Sequence, residues 1–219
     1  MVALQPVKSQ VTTHRLVFWN VENYFDTRND SLVNDDSFTP SGMNRWSRNR
    51  FDKKRNNIFK TLVAVATYGQ TSDSVPLNHC MPLVVGLCEV ENKYVLDELC
   101  YATPLRRFGY KYVHFDSPDQ RGVDCALLYR EHLFRPFLTQ PLFVSDTSST
   151  SSDQYFTRDI LLVGGALPNG DTLFVLVNHW PSKLGGAAAV NRRLRVADSL
   201  YSCMQRLCQQ YPHALVVAM

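Results

Sequence analysis

At 219 residues, with 45% hydrophobic and 20% charged side chains, the chain is long enough for one large domain with its own core, and its balance is not that of a disordered or fibrous protein. The net charge of +3 permits anionic ligands but is too small to single out nucleic acid. The amino-terminal stretch lacks the apolar run of a signal peptide, no segment approaches the roughly 20 apolar residues that span a bilayer, and the six cysteines show no CxxC or zinc-type spacing, so a cytoplasmic protein without a membrane partner is expected.

No linker-like composition divides the chain, so residues 1–14 are taken as a tail and 15–219 as one domain. The first element, RLVFWNVENY at 15–24, runs from apolar Leu16–Trp19 into Asn20 and Glu22, alternate positions that share one face of a strand. A loop rich in Asn, Asp and Ser follows at 27–44. The spacing of Phe51, Ile58, Leu62 and Val65 predicts a helix over 45–68 whose other faces carry Arg48, Arg50, Lys53, Lys54, Arg55 and Lys60, either as a solvated surface or as a face for a polyanion. Residues 69–81 suggest a loop that Pro82 closes. The strand over 82–92, PLVVGLCEVEN, repeats the first design: an apolar run, then Glu89 and Glu91 together on one face at the strand's end. A carboxylate there must be solvated or must meet a cation or partner charge.

A short helix is expected at 93–101 with Val95, Leu96 and Leu99 inward, then strands at 110–115 and 123–129 joined by the turn SPDQRG, 117–122. Pro136 and Pro141 make 134–144 an edge strand or an irregular one, and 145–153 has the composition of a mobile surface loop. Arg158 opens a strand at 159–163, and the Asn-Gly pair within 167–172 turns it into the strand 173–177, which ends in Asn178, His179 and Trp180 before Pro181. The clearest helix is predicted at 187–209, with an inward stripe of Val190, Leu194, Ala197, Tyr201, Met204 and Cys208, and an apolar strand at 213–219 closes the sequence. Three strands thus finish in polar groups, and hairpins mix with helical crossovers. Such a pattern suggests paired, partly antiparallel sheets with helices outside and a pocket where the strand ends gather. Cys88 and Cys125, inside apolar runs, are expected to be buried free thiols.

Five segments in order, WNVENYFD (19–26), GLCEVEN (86–92), SPDQRGVDCALLY (117–129), TRDILLVGG (157–165) and NHWPSKLGG (178–186), resemble the endonuclease/exonuclease/phosphatase superfamily of deoxyribonuclease-I-like phosphoesterases. The resemblance implies an α+β fold, a four-layer α/β/β/α sandwich with the site where the sheets meet, and hydrolysis of phosphate esters with Mg2+ or Mn2+. Carried over by position, Glu89 and Glu22 are expected metal ligands, Asn20 and His179 catalytic residues, and Arg158, Asn178 and Lys183 phosphate contacts. A hard cation with carboxylate and amide oxygens suits that chemistry. Taken singly, Asn20 also fits a strand-end cap, His179 a core histidine and Arg158 a surface charge. The family's later Gly-Asp-x-Asn and Asp-His motifs do not occur before residue 219. The resemblance therefore implies a sandwich lacking its C-terminal strands, part of a longer enzyme with little or no activity alone; the alternative is a non-catalytic scaffold that retains the fold. Nucleic acid, a phosphorylated lipid headgroup and a small phosphodiester are all open as substrates.

Overall fold

The apolar runs pair into two mixed sheets, seen in a computed structural model that describes residues 13–70, 75–144, 158–184 and 186–219. In the first sheet β1 (Leu16–Tyr24) and β2 (Val84–Val90) are parallel neighbours, connected through helices α1 (Arg48–Thr67) and α2 (Leu77–Cys80). After α3 (Lys93–Tyr101) the chain adds β3 (Tyr110–His114) and β4 (Asp124–Arg130), both pairings antiparallel, in the order β1-β2-β4-β3. The second sheet runs β5 (Arg135–Leu142), β6 (Ile160–Ala166) and β7 (Thr172–Val177) antiparallel, and helix α4 (Gly186–Gln210) carries the chain to β8 (Leu215–Ala218), parallel to β7.

Strand alternation distributes the apolar residues over three packed interfaces. Val85, Leu87 and Val90 of β2 meet Ile58 and Leu62 of α1 and Leu96 of α3. Val84 and Cys88, on the opposite face, meet Val175 and Val177 of β7. Phe174 and Leu176 of β7 turn away to Val196, Cys203 and Leu207 of α4. The result is the α/β/β/α sandwich, with each fully buried Leu, Val or Phe contributing about 1.5–3 kcal/mol. Gly86 shows how closely the sheets approach: a Cβ there would lie 2.7 Å from Met219 Sδ and 3.2 Å from a Val177 methyl. That closeness brings the end of β2 against the end of β7.

Several elements differ from expectation. The segment 69–81 holds the short helix α2, Leu77–Cys80. On α4 the buried row is Ala189, Val196, Cys203 and Leu207, not the row one residue later; Val190, Leu194 and Tyr201 are 55%, 56% and 64% exposed. The helix carries two apolar rows offset by one position, and periodicity alone does not choose between them. On α1, Ala66 is buried where Val65 was expected, and Val65 is half-buried. Part of the basic face of that helix is engaged: Arg48 and Arg55 both pair with Glu98 of α3, which ties helix to helix, while Arg50, Lys53 and Lys60 stand exposed. β5 is an edge strand, where Pro136 and Pro141 are tolerated. The loop expected at 145–153 and residues 1–12 of the tail lie outside the described residues. All six cysteines are free thiols, Cys88 and Cys125 among the buried ones.

Candidate active site

The regular ladder of β1 ends at Asn20. Glu22 and Asn23 take left-handed backbone angles, φ 57° and 63°, and the Asn20 side-chain oxygen accepts the Glu22 N–H at 2.8 Å. Asn and Asp side chains close such turns by bonding the backbone two residues on. The turn swings Glu22 into solvent and points the Asn23 N–H inward, where it donates to Glu89 Oε2 at 2.9 Å. Asn20 Nδ2 donates to the other Glu89 oxygen at 3.2 Å.

Glu89 is itself left-handed, at φ 62°, and the β2 register shifts there. This break separates the two acids expected on one face. Glu89 aims at the strand ends, whereas Glu91 is buried and accepts the Asp26 N–H at 2.6 Å, fastening the loop after β1. Burial pushes the Glu91 carboxyl up to about 8; the Asp26 N–H opposes this, and the charges of Asp26 and Asp35 add to it. The folded carboxyl keeps its proton at pH values where the unfolded one has lost it. Stability therefore declines as pH rises from near 4.5 toward 8. Glu91→Gln is expected to flatten the fall in melting temperature between about pH 5 and about pH 9. An equal slope in the variant would show that Glu91 is not its source.

The second sheet brings His179, two residues past β7, with Nε2 3.4 Å from Glu89 Oε1. Burial, and then the neighbouring Arg158 guanidinium, hold the imidazole down at about 4 against the opposing charge of Glu89, so the ring is neutral at neutral pH. Its Nδ1 is buried, with no hydrogen-bond partner among the described residues. Arg158, two residues before β6, pairs through Nη2 with Asp119 Oδ2 at 3.2 Å, both side chains almost fully buried. Asp119 also builds the 117–122 turn: Oδ1 accepts the Arg121 N–H at 3.0 Å, and its carbonyl accepts Gly122 N–H at 3.0 Å. The turn presents the half-exposed Arg121 guanidinium 3.9 Å from Glu89 Oε1. From α1, Lys54 donates to the Glu22 carbonyl at 3.0 Å; burial lowers its ammonium pKa against the charges of Glu22 and Glu89.

Asn20, Glu89, His179 and Arg158 are thus drawn together from both sheets. Glu22 joins them through its backbone, its side chain being exposed. The Asn178 Nδ2 bonds the Leu176 and Met219 carbonyls at 2.9 and 3.2 Å, pinning the end of β8 to β7. Lys183 stands exposed in the turn after Pro181. The sequence did not single out Asp119 or Arg121, and it placed Lys54 only on a basic helix face. The alternation of Asp and Arg inside SPDQRG was the available signal for the first two.

Fold and site together define a class: a two-sheet sandwich whose strand ends surround one carboxylate with amide, imidazole and guanidinium groups. A sequence profile described as Endonuclease/Exonuclease/phosphatase family matches residues 15–219, and the chain belongs to that family. Among solved structures, the human Nocturnin catalytic domain with bound sulfate is similar, at 13% identity and a TM-score of 0.57, over 94% of this chain and 63% of that one. Humanized D. rerio TDP2 follows at 15% identity and 0.53, over 93% and 63%. ANGEL2, a 2',3'-cyclic phosphatase, matches at 14% and 0.56, over 93% and 50%. The chain therefore spans at most 63% of the length of these three. No curated protein matches it by sequence.

Proposed function

We propose that the chain carries the phosphoester-binding site of a divalent-metal-dependent hydrolase. The observation that supports this best is the convergence of Asn20, Glu89 and His179 from three strand ends, with Arg121 and Arg158 beside them. Glu89 Oε1 faces Asn20, His179 and Arg121, whereas Oε2 accepts one hydrogen bond, from the Asn23 N–H, and keeps a lone pair for a cation. Oxygen donors of this kind fit Mg2+ or Mn2+, with Glu89 as the holding carboxylate and Glu22 at the rim. When bound, such an ion supplies charge neutralisation at a phosphoryl oxygen and lowers the pKa of water.

The chain's own residues do the rest. Asn20 and the Asn23 N–H fix the Glu89 carboxylate in one orientation. Neutral His179 donates its ring N–H to a non-bridging phosphoryl oxygen without carrying a charge of its own. Arg121 and Arg158 neutralise the developing anion, and Asp119 holds Arg158 in place. Nucleic acid is the substrate class we favour, since two guanidiniums suit a phosphodiester backbone, and a D. rerio TDP2 of 15% identity was solved with a single-stranded DNA product. Free thiols at all six cysteines fit a reducing, cytoplasmic setting.

The test is hydrolysis of a DNA oligonucleotide, a nitrophenyl phosphodiester and a 2',3'-cyclic nucleotide. Turnover by these 219 residues is expected to be feeble at most, to vanish in EDTA and to return with Mg2+ or Mn2+. Turnover unaffected by EDTA would refute the metal-dependent reading, and robust turnover would refute the expectation of little activity alone; no turnover on any substrate together with no Mg2+ or Mn2+ bound at Glu89 is what a scaffold would give.

A further inference from the structure

At the outer edge of the first sheet, where β3 leads into β4, lies a second group of ionisable side chains that the phosphoester chemistry does not use. His114 ends β3 and Asp124 opens β4, so the two flank the loop that carries Asp119 and Arg121. The His114 imidazole is fully buried, and among the described residues neither of its ring nitrogens has a hydrogen-bond partner. Leaving such a group unmatched costs about 1–3 kcal/mol, so an unsatisfied buried imidazole points to something that binds it.

What faces the ring is acid. Nε2 lies 3.4 Å from Asp124 Oδ2, and Nδ1 lies 3.9 Å from Oδ1 of the exposed Asp116. Asp124 is fixed in its role: Oδ1 accepts the Ser117 N–H at 2.9 Å and the Ser117 hydroxyl, which leaves Oδ2 turned to the imidazole. Asp159 joins it from β6's leading end, its own Oδ2 buried and unpartnered, lining with Ser117 and Asp124 a cavity of about 10 Å³. Neither Asp124 nor Asp159 forms an ion pair with a lysine or arginine among the described residues, so buried negative charge is left without a fixed cation.

We propose that His114 Nε2, Asp124 Oδ2 and an Asp116 oxygen bind a divalent transition metal such as Zn2+, at a site separate from Glu89. One ligand atom from each of the three residues lies within 4.8 Å of the others. The 3.4 Å between Nε2 and Oδ2 is the separation of two ligands each about 2.1 Å from one ion at a near-tetrahedral angle. Imidazole beside carboxylates selects zinc or manganese over magnesium, and Ser117 supplies the outer hydrogen bonds that orient a ligating carboxylate. Asp116, exposed and with Oδ1 nearest Nδ1 of the ring, would swing toward Nε2 to close the third position.

An ion here would clamp the neck of the 115–123 loop and so hold Arg121 toward Glu89. That positioning role rests on the proposed function, whereas the binding itself does not. The experiment uses the Glu89→Gln chain, which lacks the catalytic cation ligand, and counts bound Zn2+ by equilibrium dialysis with Zn2+ alone. One Zn2+ per chain is expected, with affinity at least about tenfold weaker in the further variants Asp116→Asn and Asp124→Asn. No bound Zn2+, or affinity unchanged in both, would overturn the proposal. Should Asp124→Asn fail to fold, Asp116→Asn and zinc anomalous scattering from crystals decide: a peak about 2.1 Å from His114 Nε2 is expected, and its absence refutes the site. Because no readout involves turnover, loss of the hydrolase reading would leave this result standing.

Discussion

Glu89→Gln is expected to lower Mg2+-dependent phosphodiester hydrolysis by on the order of 10³-fold with the fold intact, a loss of several kcal/mol of transition-state stabilisation. Gln keeps the shape and retains an acceptor for the Asn23 N–H, so the β1 turn is not undone. What it removes is the charge. Glu89 is the one carboxylate that touches Asn20, His179 and Arg121, and it has the site's lone pairs for a cation. Steady-state rates at saturating Mg2+, with circular dichroism to confirm folding, test this. Retention of more than about a tenth of the activity would show that Glu89 does not hold the reacting ion.

Asp119→Ala is expected to destabilise the protein by about 3–5 kcal/mol, because it strands the Arg158 guanidinium with 9% of its side chain exposed and no carboxylate beside it. Arg158 Nε has no hydrogen-bond partner among the described residues. The same change frees the Arg121 N–H and loosens the turn that presents Arg121. Removing both charges, as Asp119→Leu with Arg158→Leu, is expected to recover much of that stability without recovering substrate affinity, since a buried pair replaced by apolar groups is often neutral. Urea unfolding of the single and double variants decides. A single variant as stable as the parent would mean that Arg158 finds solvent instead.

Most of the architecture was legible because it rests on periodicity. Alternating residues such as Val84 and Val85 serve opposite faces of β2, and Val95, Leu96 and Leu99 turn α3 inward as their spacing required. The gathering of polar strand ends was legible for the same reason. Periodicity failed where the backbone left the regular geometry it presumes. Glu22, Asn23 and Glu89 adopt left-handed angles without being glycine, so Glu22 and Glu91 ended on faces that alternation did not assign. It failed again on α4, where two apolar rows compete and only the sheet beneath decides. The Asp119–Arg158 pair was invisible for a different reason. It joins a turn to a strand start 39 positions away, and local turn chemistry already accounted for Asp119.

The left-handed backbone at Glu89 has an evolutionary corollary. A side chain with a Cβ pays about 1–2 kcal/mol there, which glycine would not. A descendant relieved of chemistry would thus gain robustness by surrendering the acid, so persistence of glutamate at this spot in any relative marks purifying selection on reactivity, and glycine marks its loss.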